Sequence, residues 1–134
     1  MTDYRSALVY VMVLTSAADS DMTDSELTTI GEIVKFLPVF KGYNPEDLPM
    51  DSRKCADLLE GEDGIDRVLD KVLAALPEHL RETAYALALE IVAADGVASQ
   101  EELRLLEILR HTLDIERLAA AAIERGARAR YMHA

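Results

Sequence analysis

The chain has no tryptophan, a single cysteine and only 5% aromatic residues. The lone cysteine, Cys55, cannot close an internal disulfide, so the fold must stand on its packed core, and a reducing compartment is expected. Half of the 134 residues are hydrophobic. With few aromatics among them, the core must come from Ala, Leu, Val, Ile and Met, which suits close helix–helix packing. Basic residues are also scarce: 14 stand against 25 acids, a net charge of −11. That balance excludes the basic face of a nucleic-acid-binding domain, and leaves room for a cation or a basic partner. The charge is uneven. No acid follows Glu124, while Arg125, Arg128 and Arg130 do, so the tail carries +3 and the body −14.

Long hydrophobic runs are missing too. Ala7–Leu14 (ALVYVMVL) is too short to span a bilayer. It has the length of a signal-peptide core, but the preceding MTDYRS sets Asp3 against Arg5 and lacks the positive excess of a leader. A cytoplasmic protein is expected. No glycine-rich phosphate loop, nucleophile elbow or HExxH motif is present, and no enzyme is expected. His79, His111 and His133 have no Cys or second His at ligand spacing, which argues against zinc.

What is present is helical periodicity. Length suits one domain over residues 1–134. Tyr4–Ala18 is apolar on nearly every side, as a buried central helix would be. A second helix starts near Asp24, with Leu27, Ile30, Ile33, Val34 and Leu37 on one face, and ends at Pro38. The stretch PVFKGYNPEDLPM reads as a loop. A short helix over Asp51–Glu60 turns Cys55, Leu58 and Leu59 inward, with Gly61 just past its end. Asp63 is placed to cap a fourth helix running to Leu76. Pro77 precedes a fifth, Glu78–Asp95, which is again apolar all round. A sixth covers Gln100–His111, with Leu103, Leu106 and Leu109 beside its buried stripe. A seventh covers Ile115–Arg130, with Ile115, Leu118, Ala119, Ala122 and Ile123 at helical spacing. No segment alternates as a strand.

One phrase occurs twice. AADSDMTDSEL begins at Ala17 and AADGVASQEEL at Ala93, an offset of 76 residues. Asp19 matches Asp95, Thr23 matches Ser99, Glu26 matches Glu102 and Leu27 matches Leu103. Each copy follows an apolar helix and precedes an amphipathic one. The expectation is two related helical hairpins whose apolar helices pack together, giving an all-α fold of about seven helices in two pseudo-symmetric halves.

The two copies have a plain capping content. Thr23-x-x-Glu26 and Ser99-x-x-Glu102 are capping boxes, and Gly96 suits the left-handed end of a helix. Asp19 and Asp95 fit less well. Each stands at a helix C-terminus, where the dipole disfavours an anion, so each asks for a compensating cation, either Arg or Lys or a metal. If the two corners lie side by side, Asp19, Glu26, Asp95 and Glu102 converge. Oxygen ligands without His or Cys suit Ca²⁺, Mg²⁺ or Mn²⁺. The first corner is no EF-hand: position 6 is Asp24 instead of Gly, and position 12 is Ile30 instead of Glu.

Ala93-Ala94-Asp95-Gly96 with Ser99–Leu103, together with the weaker copy Ala17–Leu27, resembles the TerB-like tellurite-resistance family. The likeness runs from about Ala7 to the tail RARYMHA. It implies an all-helical domain in two halves, a cytoplasmic role in resistance to tellurite and other toxic anions, and an acidic metal site on Asp19, Glu26, Asp95 and Glu102. The first copy departs from the pattern at Ser20, where Gly would stand. A scaffold without metal is the alternative. Its carboxylates would only cap helices, and its acidic face or the basic tail (Arg125, Arg128, Arg130, Tyr131) would bind a protein partner. Glu90, inside the apolar fifth helix, reads as a ligand or a base, or else as sharing a small, wetter face with His79, Thr83 and Ala86 or pairing with an Arg. Cys55 reads as a buried structural thiol. The acidic run Glu60–Asp66 reads mainly as a glycine end cap followed by an Asp start cap.

Overall fold

The computed structural model describes residues 3–18, 24–94, 96 and 98–134. Among them are seven α-helices, three short 3-10 turns and no strand: α1 (Tyr4–Ser16), α2 (Asp24–Phe36), α3 (Leu48–Leu59), α4 (Gly64–Ala75), α5 (Arg81–Ala94), α6 (Gln100–Thr112) and α7 (Arg117–Arg130). The fold is all-α, as expected.

α1 begins at Asp3, whose carboxylate accepts from the backbone N–H groups of Arg5 (2.8 Å) and Ser6 (3.0 Å). Ten consecutive residues, Ala7 to Ser16, are buried. A helix with no polar side needs neighbours all round. α1 packs against α3, α4 and α5, and α5 packs in turn against α2, α6 and α7. The two apolar helices thus lie against each other, and one continuous hydrophobic cluster joins residues from all seven helices.

Several boundaries differ from the sequence expectation for identifiable reasons. The proline-rich loop holds two 3-10 turns, and α3 starts at Leu48, three residues early, because Pro49 sits in its first turn, where no backbone N–H is needed. Gly61 ends α3 in the left-handed region, with φ 95°. Asp63 occupies the start position of α4 but its side chain makes no cap. Arg67 instead reaches back to the carbonyls of Leu58 (3.1 Å) and Glu60, satisfying the end of α3. α6 ends in a Schellman motif with Asp114 at φ 53° in place of glycine; Asp114 N–H donates to His111 and Ile115 N–H to Arg110.

α7 is rotated relative to the expected stripe. Ala120 and Ala127 are buried and Ile123 half-buried, while Leu118 and Ala122 face out. The same helix is fastened to α5 by polar contacts. Tyr85 donates to Glu124 (2.7 Å), Tyr131 donates to Glu90 (2.8 Å), and Arg130 forms an ion pair with Glu90. Glu90 therefore has the arginine partner that one of its readings required.

Candidate metal centre

Of the four carboxylates marked by the repeat, two can be placed. Asp19 and Asp95 lie outside the described residues, as does Thr23. Glu26 and Glu102 stand in the first turns of α2 and α6, and each is only 2% exposed. The residue after each behaves in the opposite way: Leu27 is 51% exposed and Leu103 48%. Leu27 was expected inward. Both helices are turned so that a carboxylate enters the interior and the neighbouring leucine stays in water.

This inverts the usual ranking of side chains, because burying a charge costs free energy unless it is paired and hydrogen-bonded. Part of that cost is met by capping. At the second corner the full capping box is present: Glu102 N–H donates to Ser99 Oγ (3.1 Å) and Ser99 N–H donates to Glu102 Oε1 (2.9 Å). The positive end of the helix dipole adds to this at both glutamates. Glu26 is likewise engaged by a polar partner. A carboxylate offers about four lone-pair sites, and among the described residues one backbone donor, Ser99 N–H, reaches the Glu102 carboxylate.

The approach to the first corner is polar as well as buried. The Thr15 hydroxyl donates back to the Val11 carbonyl (2.7 Å), and the buried Ser16 hydroxyl has no hydrogen-bond partner among the described residues. At the second corner Gly96 has φ 80° and donates to the Ala93 carbonyl (3.0 Å), so it takes the left-handed turn its type allows. Among the described residues no three or more His, Cys, Asp or Glu side chains stand where they could hold one ion. A four-acid site would therefore need Asp19 and Asp95 to complete it. The donor set itself, hard carboxylate oxygens without nitrogen or sulfur, fits Ca²⁺, Mg²⁺ or Mn²⁺.

All three histidines are exposed. Cys55 is buried, its thiol directed to the Tyr10 carbonyl (3.7 Å) and pushed up to about 12 by burial, which makes it a poor nucleophile. A cluster that the sequence did not reveal centres on Asp51. It is buried and accepts from Tyr43 (2.7 Å) and Ser6 (3.2 Å), tying the proline-rich segment to α1 and α3. Burial, and next the bond to Asp51, push the Tyr43 phenol well above its ordinary value, so it stays a donor. No local pattern marks such a contact, because its members are 45 and 8 residues from Asp51. No helix among the described residues is long and apolar enough to cross a membrane.

No curated protein and no solved structure gives a significant match to the chain. The family model described as tellurite resistance protein TerB matches residues 5–125, which include both corners and every helix that carries them, and the chain belongs to that family.

Proposed function

We propose that this TerB-family domain is a non-catalytic module that binds one divalent cation, Ca²⁺, Mg²⁺ or Mn²⁺, through Asp19, Glu26, Asp95 and Glu102, and serves a cytoplasmic response to tellurite or related toxic anions. The observation that carries the reading is the paired inversion at the two corners, where Glu26 and Glu102 are buried while Leu27 and Leu103 are not. A cap alone can be made at the surface. Two interior carboxylates at matched positions are better accounted for by a shared positive charge. The ion would stabilise the folded chain by binding it and not the unfolded one.

The second reading rests on the reciprocal bonds between Ser99 and Glu102. In it the acids only cap helices, and the negative body docks a basic partner.

Glutamine separates the two, because it keeps a capping box but is a far weaker cation ligand. Melting of the parent chain is expected to rise with millimolar Ca²⁺, Mg²⁺ or Mn²⁺ and to fall back with chelator. Glu26→Gln with Glu102→Gln should melt like the chelated parent and lose the ion response. A parent that ignores all three ions would leave the capping reading standing.

A further inference from the structure

We propose that the outer face of α7 docks onto a cleft of a second copy of this chain, with Leu118 as the inserted side chain. Two surface features lack a partner among the described residues and complement each other. The first is on α7, whose inner side lies on α5. Its outer side presents Leu118 at 76% exposure, with Ala121 and Ala122 beside it. Arg117, Arg125 and Arg128 are exposed around them. Small residues next to one large apolar side chain let a helix approach closely and leave one knob to fill a hole.

The second feature is a cleft of about 410 Å³ where α1, α3, α4 and α6 meet. Its walls are apolar: Leu14, Ala17, Leu59, Ile65, Leu105 and Ile108. Glu101 and Arg104 line it as well. Directly beside Leu59 and Ile65 in the chain, Glu60, Glu62 and Asp63 are exposed. The cleft is therefore greasy inside, with one acid and one base in its lining and three further acids beside it in the chain, and the α7 face is greasy in the centre with arginines around it. A leucine side chain fits the volume with room for the adjoining helix turn, the usual arrangement for a helix laid in a groove.

Charge selects the occupant. Everything before Arg125 carries −14 and the tail +3, so the surface most complementary to α7 that is certain to be present is the body of another copy. An extended anionic membrane would meet the −14 body along with α7 and be repelled. The overall charge of −11 also opposes association at long range, so the contact must be held by local fit and short-range pairing. Knob and cleft are different patches. The contact is thus a closed pair if each copy gives both, or a head-to-tail chain if it does not. Neither Glu26 nor Glu102 lines the cleft.

Sedimentation velocity of the full chain over a concentration series, in chelator, tests this. The parent should sediment faster as concentration rises. Leu118→Glu and, separately, Ile65→Lys should each weaken self-association at least about tenfold, and both sites are exposed enough to leave helical circular dichroism unchanged. Should Leu118→Glu fold poorly, Leu118→Ala takes its place. An equimolar mixture of the α7 variant and the cleft variant should recover association, because one retains the cleft and the other retains the knob. A parent that stays monomeric throughout, variants that associate like the parent, or folded variants that fail to complement would each overturn the proposal.

Discussion

At the scale of single residues, the most informative pair is Glu102 and Leu103. One is buried and the other half in water, the reverse of what hydropathy assigns. The Ser99-x-x-Glu102 box was legible from residue types and spacing, and its two bonds are present. The depth of burial was not legible, because it depends on how α6 is rotated against the helices around it. Cys55 shows the opposite case: a small apolar position on an apolar stripe, buried as its neighbours implied. Its thiol ionises near 9.0 when free and is held up to about 12 by burial in the fold. Well below pH 9, under about pH 8, both states keep the proton and the buried thiol contributes in full. Between these values only the unfolded chain ionises, so stability falls as pH rises. Burial, and next the bond to Glu124, also push the Tyr85 phenol upward, with the same sign. Urea midpoints should therefore drop between about pH 8 and about pH 10.5. Cys55→Ala should flatten the slope, and thiol reagents should label the parent only as it unfolds.

At the scale of elements, glycine positions divide into those that packing requires and those it does not. A Cβ on Gly64 would stand 2.1 Å from the Leu59 carbonyl oxygen, backbone that cannot step aside. The α3–α4 junction is that close because Gly64 opens α4 immediately against the end of α3. Gly31, inside α2, would meet nothing within 4 Å. Gly64→Ala should cost about 1–3 kcal/mol or more from overpacking, whereas Gly31→Ala should stabilise by roughly 0.5–1 kcal/mol through helix propensity. Paired denaturant titrations read both. The helices themselves were legible from their periodicity and from Pro38, Gly61 and Pro77. The face of α7 was not. Its alanines lie on every side, and alanine gives little amphipathic contrast, so the stripe with Leu118 and the stripe with Ala120 and Ala127 score alike. Contact with α5 selects the smaller one, because small side chains allow the closer approach.

For the whole molecule, the surplus of acid is the dominant long-range term. Between described residues only two ion pairs form, Arg5 with Asp3 and Arg130 with Glu90, against 25 acidic residues in the sequence. Repulsion among carboxylates therefore outweighs attraction, and screening should help the fold more than it harms it. Raising monovalent salt from about 10 mM to about 150 mM shortens the Debye length from about 30 Å to about 8 Å. The melting temperature of dilute, chelated protein should rise by a few degrees over that range in differential scanning calorimetry. A decrease would mean that local pairs carry more of the stability than the charge balance implies. That the two apolar helices pack together was legible, because neither could face water. How the remaining five are arranged around them was not, since their stripes are compatible with several partners.

The burial of α1 has a consequence for how the protein is made. Its ten interior residues need α3, α4 and α5, and α5 starts at Arg81, 77 positions after Tyr4. At roughly 5–20 residues per second of synthesis, the ribosome exposes ALVYVMVL for roughly 4–15 s before its last major neighbour has been translated. During that interval the segment is unburied apolar surface of the kind that makes nascent chains prone to aggregate, so slowing synthesis should lower the soluble fraction measured after expression.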